Sequence, residues 1–279
     1  TLEGDCLPRR SRPAQLIHLC SDPWRVEAYS EYINTMGGIC EDIDVIIDAS
    51  LNVNHDSCWL PLLHRAERNE IHGMQADPQC STFSRLRGNR RGPKAVRTAT
   101  EPERYGLKDL DGNVKKQVGA ETLLATRIAT LAHILYKHGR PWVVENPAFV
   151  EGAVSIFALD EFLSLRALPG VSLYTFPQCP FGSYSEKPTS VLYFAVKFDM
   201  HMFPKTCPHD AVQWRFTDGR SFTARHSPLS GRMRAVRAED WTPELSRELL
   251  GTFVSKAMKS STYPGEMSRR LAISMVNAL

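Results

Sequence analysis

At 279 residues, with 42% hydrophobic and 23% charged side chains, the chain can bury a large core, as one domain with an appendage or as two small domains. A net charge of only +3 excludes a strong global basic field, so any argument for a nucleic-acid partner has to come from local charge. Seven cysteines, odd in number and without a CxxC, fit an intracellular, reducing compartment better than a disulfide framework. No apolar run approaches the roughly eighteen residues of a membrane span and no signal-like segment opens the chain, so no membrane partner is expected. The first residue is Thr rather than Met, which fits a segment of a longer protein.

Residues 1–13 hold Pro8, Pro13, Arg9, Arg10 and Arg12 and read as a flexible basic arm. Residues 15–20 form a short apolar strand. Ser21 or Asp22 then caps a helix with Pro23 at its first position, where the missing N–H costs nothing. That helix stops at Met36-Gly37-Gly38, and 39–47 alternates as a strand with acidic residues interleaved. Residues 58–70 read as a helix and 72–78 as a third strand that runs into Cys80. The stretch 81–119 is basic, without sustained period, and therefore a functional or a disordered loop. The clearest helix is 120–138, where Leu123, Leu124, Ile128, Leu131, Ala132 and Leu135 recur at helical spacing. A strand at 142–145, a helix at 155–165 and strands at 171–176 and 191–198 complete the alternation.

Strand and helix alternating through 14–198 predict an α/β fold: an open, mostly parallel Rossmann-like sheet with helices on both faces. Residues 199–241 read as a small irregular appendage, and 242–279 as two closing helices. In such a sheet ligands bind at the carboxyl ends of the strands. Suggestive residues stand at four of those ends: Ser21-Asp22-Pro23, Asp42 with Asp44, Asp77-Pro78-Gln79-Cys80, and Glu145-Asn146-Pro147. An acidic residue after the second strand can hold ribose hydroxyls by charge-assisted hydrogen bonds, with Asp44 the first choice and Asp42 the second.

A family resemblance lies in these motifs. Ala76-Asp-Pro-Gln-Cys-Ser-Thr-Phe-Ser84 resembles the Pro-Pro-Cys-x-x-Phe-Ser motif of cytosine-C5 DNA methyltransferases, whose cysteine is the nucleophile. Trp142-Val-Val-Glu-Asn-Pro147 resembles the strand bearing that family's catalytic glutamate, and Gln178-Cys-Pro-Phe-Gly-Ser-Tyr-Ser-Glu-Lys-Pro-Thr189 a later segment of its divergent members. The resemblance covers residues 14–198 loosely. It implies a class I, S-adenosylmethionine-dependent methyltransferase domain there, acting on DNA, with RNA left open.

The implied chemistry suits the residues. Thiolate addition at C6 of the pyrimidine turns C5 into a nucleophile, and a carboxyl group at N3 neutralises the charge that addition creates. Cys80 matches the nucleophile and Glu145 the acid. Ser21, Asp22, Asp42, Asp44, Asp77 and Pro78 fall on the cofactor side. A base within a duplex would have to be flipped out first. The chain also departs from the family: the turn after the first strand lacks a glycine, Gln79 precedes the nucleophile, the base-holding basic motif is reduced to Lys187 near Thr189, and no closing asparagine motif follows. These departures keep open a catalytically degenerate nucleic-acid-binding module.

Arg85, Arg87, Arg90, Arg91, Lys94 and Arg97 crowd the loop after Cys80, where they can grip phosphates, with Gly88 and Gly92 allowing movement. Arg85, Arg87, Arg91, Arg97 and Lys187 are the expected nucleic-acid contacts. Trp214, Phe216 and Phe222 interleaved with Arg215, Arg220 and Arg225 mark 199–241 as a candidate target-recognition region, or as a small sheet packed on the main domain. Cys179, Cys207 and His209, with His201 or His226, can be assembled into a zinc site. Spacing supports only Cys207-x-His209, so no metal is expected.

Overall fold

A computed structural model describes residues 13–21, 28–84, 87, 93–181, 186–198, 201–216, 220–226, 235–237 and 265–279. Residues 1–12 of the arm expected at 1–13, the cap at Asp22-Pro23, the helix at 242–259, and Arg85, Arg90 and Arg91 lie outside the described residues.

Six strands form one mixed sheet: β1 (Gln15–Leu19), β2 (Ile39–Ile43), β3 (Gly73–Ala76), β4 (Trp142–Pro147), β5 (Val171–Pro177) and β6 (Pro188–Phe194), in the order β2-β1-β3-β4-β6-β5. The first four run parallel, while β6 lies antiparallel between β4 and β5. The chain therefore leaves β1 towards β2 on one side and returns to β3 on the other. That reversal puts a topological switch point at the carboxyl end of β1, where such sheets bind ligands.

Period-2 alternation sends side chains to two cores. Ile17, Leu19, Met74, Trp142 and Val144 face α2 (Asp56–Glu67), α3 (Gly112–Lys137) and α4 (Asp160–Arg166). Leu16, Val143 and Val191 face the other way, against α1 (Tyr29–Thr35) and α5 (Gly265–Val276). The C-terminal helix, expected as one of two closing helices, thus belongs to the main core. Its Met275 packs so near β3 that a Cβ on Gly73 would meet the Met275 sulfur at 3.2 Å and Pro141 O at 3.3 Å. A larger residue there would crowd Leu16, Met275 and the Pro141 carbonyl.

Helix α3 starts earlier than its apolar stripe suggests, because Asp111 caps it by accepting from Val114 N at 3.0 Å. It is long and apolar enough to cross a membrane, yet it packs Val118, Ala125, Ile128, Leu131, Ala132 and Leu135 into the core. Leu123, expected on that stripe, is 40% exposed. Strand β2 ends at Ile43 instead of continuing to 47; Asp44 then accepts from Ile46 N at 2.8 Å and turns the chain. The stretch expected to be irregular holds a three-stranded antiparallel sheet, with β7 (Val212–Phe216) between β8 (Ser221–Ala224) and β9 (Ala235–Arg237). This is the small-sheet alternative for 199–241. None of the described cysteines is paired in a disulfide.

Candidate active site

Strand register assembles the site. Leu19 pairs with Ile43 and Ala76, and Ala76 with Val144, so the next residue of each strand, Cys20, Asp44, Asp77 and Glu145, stands on one row along the carboxyl edge. Four ends that are far apart in the chain become neighbours this way.

On the β3–β4 half, Cys80 follows Asp77-Pro78-Gln79 and Glu145 is 6% exposed. Asn146 Nδ2 donates to Pro78 O at 3.1 Å and ties the end of β4 to the loop that carries the thiol. Burial, then the charge of Glu145, pushes the Cys80 thiol up to about 11, while Lys187 pulls it the other way. The thiol, the carboxylate and the ammonium are therefore electrostatic neighbours, and the resting cysteine is protonated at neutral pH. Behind Glu145, Gln178 Nε2 reaches Thr189 Oγ1 at 2.8 Å and approaches Glu145 Oε1 at 3.5 Å. Asn146 Oδ1 and Gln178 Oε1 are buried acceptors without a hydrogen-bond partner among the described residues. Buried acceptors in that condition are costly unless a ligand or water completes them.

The loop after Cys80 is anchored by a residue that sequence reasoning missed. Glu121, on the buried face of α3, accepts from Ser81 Oγ, from Thr82 N at 2.9 Å and from Thr82 Oγ1 at 2.5 Å. Its signal was a lone carboxylate between Val118 and Ala125 on an otherwise apolar stripe. Arg97 complements it. The guanidinium is 3% exposed, lies 3.9 Å above the Phe83 ring, and donates to Thr82 Oγ1, Arg104 O, Val118 O and Thr122 Oγ1. Burial lowers its pKa to about 10 against the opposing pull of Glu121. The expectation of a phosphate contact at Arg97 is thus corrected: its donors are used inside the protein. Arg87 likewise folds back onto Ser81 O at 2.5 Å and Lys94 O at 3.2 Å. Both arginines line a small cavity of about 180 Å³ beside Thr82 and Val154.

The β1–β2 half is organised differently, around His18, which sequence reasoning passed over as part of an apolar strand. His18 pairs laterally with Asp42 on β2 and Gln75 on β3, and its buried ring lies edge-on to Tyr29 with centroids 5.0 Å apart. Nε2 meets Asp77 Oδ2 at 2.7 Å. Asp42 Oδ1 is 3.2 Å from Nδ1, at ion-pair distance but out of line for a good hydrogen bond. Burial alone would lower the imidazole's pKa, but Asp42 and Asp77 outweigh it and raise it to about 9. The same contacts, with Ser30 Oγ donating to Asp42 at 2.5 Å, overcome burial and hold the Asp42 carboxyl below its usual range. Gln75 Nε2 adds a 2.5 Å contact to Asp77 Oδ1. Asp42 and Asp77, expected to face a cofactor, are thereby engaged by an internal imidazolium. Ser21 Oγ is buried near Asp42 without a well-formed hydrogen bond. The turn lacking glycine is made by Cys20 itself, in the left-handed region at φ 60° with its N–H on Ile43 O.

A third cluster stands outside this row. Cys179, Cys207, His209 and His226 bring their ligand atoms within 4.8 Å of one another. Neither a protein-family model nor a curated relative matches the chain.

Proposed function

We propose that the protein transfers a methyl group from S-adenosylmethionine to C5 of cytosine in DNA, with Cys80 as covalent nucleophile and Glu145 as acid. The observation that carries this reading is the coupling of a part-buried thiol to a buried carboxylate at the ends of adjacent strands, with Asn146 fixing the loop between them. Because the resting thiol is protonated, its proton has to leave as sulfur attacks. Glu145 is the neighbouring acceptor. Passing that proton on to N3 of the base leaves the carboxylate as it began while the S–C6 bond forms and the C5–C6 double bond opens. Once C5 carries the methyl group, loss of its proton to solvent reforms the C5–C6 double bond and expels Cys80 as thiolate, and the N3 proton returns through Glu145 to the sulfur, which restores both ring and thiol. Lys187 favours the thiolate by its charge.

The switch-point edge fits the cofactor in part. Ser21, with its buried hydroxyl, and Asp44 would hold it, and the left-handed turn at Cys20 shapes the backbone there. When bound, S-adenosylmethionine supplies the electrophilic methyl carbon. Incubating the chain with S-adenosylmethionine and DNA containing 5-fluorocytosine tests the reading, since fluorine at C5 blocks the final proton removal. A covalent adduct at Cys80 is expected by mass spectrometry, and no adduct in a chain that binds both ligands would overturn the mechanism.

The His18 network favours a second reading, a nucleic-acid-binding module that keeps the fold without methyl transfer. Two carboxylates at the cofactor edge are already engaged by one imidazolium within the protein. Calorimetry separates the two readings: the module binds DNA but gives neither heat nor a melting shift with S-adenosylmethionine.

A further inference from the structure

We propose that Cys179, Cys207, His209 and His226 form a structural zinc site that clamps the small sheet to the edge of the candidate active site. Three separate chain segments supply the ligands. Cys179 opens the 3-10 turn Cys179–Phe181 just after β5, Cys207 and His209 lie in the connection from β6 to β7, and His226 follows β8. Nothing in the sequence spacing unites them, because only Cys207 and His209 are close in the chain.

The four donors lie close enough to close into one ligand shell around an ion. Four donors around a tetrahedral zinc ion, with bonds of about 2.0–2.3 Å, lie roughly 3.3–3.8 Å from one another. Here Cys207 Sγ is 3.5 Å from His209 Nδ1 and 3.0 Å from His226 Nε2, and all four ligand atoms fall within 4.8 Å. The two imidazole rings stand edge to face at 89°, converging on the sulfur from different directions instead of stacking. His209 N also donates to Cys207 Sγ at 3.4 Å, as backbone amides do to metal-bound thiolates. Two sulfurs and two imidazole nitrogens suit zinc, which is borderline soft, over the hard cations that prefer oxygen. With four protein ligands the shell leaves no open position, so the role is structural and not catalytic.

The position gives the clamp a purpose. Gln178, one residue before Cys179, carries the amide that reaches Thr189 and Glu145. An ion held at Cys179 therefore fixes the turn behind the acid and, through His226, the end of β8. Metal binding and packing of the small sheet are linked, because the ligands meet only when both segments are in place.

Metal analysis of the full reduced chain, purified without added zinc, tests this directly. About one zinc per chain is expected, and cobalt(II) titrated into the chelator-treated protein should give the visible bands of a tetrahedral site plus thiolate charge transfer. Cys207→Ser and His226→Ala should lose the metal, whereas Cys58→Ser, outside the cluster, should retain it. His226→Cys should still bind cobalt and gain thiolate charge-transfer intensity, a change that general misfolding would not produce. A folded, reduced chain that takes up neither ion would overturn the proposal. So would a Cys179–Cys207 disulfide in the freshly isolated protein, or a cobalt spectrum unchanged by His226→Cys.

Discussion

The two halves of the carboxyl edge handle buried charge in opposite ways. On the β1–β2 half, His18 sits between Asp42 and Asp77, and each charged group is answered by a neighbour. On the β3–β4 half, the thiol of Cys80 is pushed up by burial and by Glu145, and the acceptors of Asn146 and Gln178 go unanswered among the described residues. Both halves keep buried polar atoms without a hydrogen-bond partner among the described residues, His18 Nδ1, Gln75 Oε1 and Ser21 Oγ on the first and Asn146 Oδ1 and Gln178 Oε1 on the second. The difference therefore lies in the charges: those of the first half are paired with one another, whereas on the second a carboxylate stands beside a thiol whose ionisation it opposes.

The comparison breaks first at Cys80. If the β3–β4 half is the reactive one, Cys80→Ala lowers adduct formation and turnover by at least about 10³-fold. Its unfolding free energy in urea should stay within about 0.5 kcal/mol of the parent, since the side chain is only partly buried. Next in size is the scaffold beneath that half. Arg97→Met removes a buried cation from Glu121 and should cost about 3 kcal/mol in urea unfolding. An arginine kept for phosphate contact would instead cost DNA affinity at unchanged stability.

The β1–β2 half is tested by pH. The pKa of His18 is raised from 6.5 to about 9 on folding, so its stabilisation is complete below pH 6.5 and is lost as pH climbs through 9. Stability should fall by about 3 kcal/mol across that window, and His18→Gln should flatten the profile there. The lowered Asp42 acts at the other extreme, its contribution disappearing as pH falls below the ordinary aspartate range. A wild-type profile that is flat from pH 6.5 to 9 would break the charged-network description. The smallest effect sharpens the coupling across the reactive half. Glu145→Gln removes the second-largest cause of the raised thiol, so the pH midpoint for alkylation of Cys80 should move down from about 11 while staying above that of an exposed cysteine, because burial remains.

Much of this was legible in the chain. Apolar runs bounded by turn residues marked β1, β3 and β4 to within a few residues, since buried parallel strands need continuous apolar side chains. The motifs around Cys80 and Glu145 singled out the two groups that the structure sets at the ends of β3 and β4. Less legible were residues whose meaning depends on a partner far along the chain. His18 reads as a strand residue until register sets it between Asp42 and Gln75. Arg97 reads as one of a basic run until packing turns it inward, and Glu121 as a solvated helix residue until the Cys80 loop lands on it.

By itself, then, the sequence determined the alternation of strand and helix and singled out the thiol and the carboxylate proposed to react, because periodicity and short motifs are local properties. Only the tertiary structure decided that the C-terminal helix closes the main core, that two expected cofactor carboxylates hold a histidine instead, and that two cysteines and two histidines from three segments converge. Each of those outcomes rests on strand register or on packing between distant segments, and hydrogen bonds and ligand shells are decided at distances of a few ångströms that no spacing along the chain encodes.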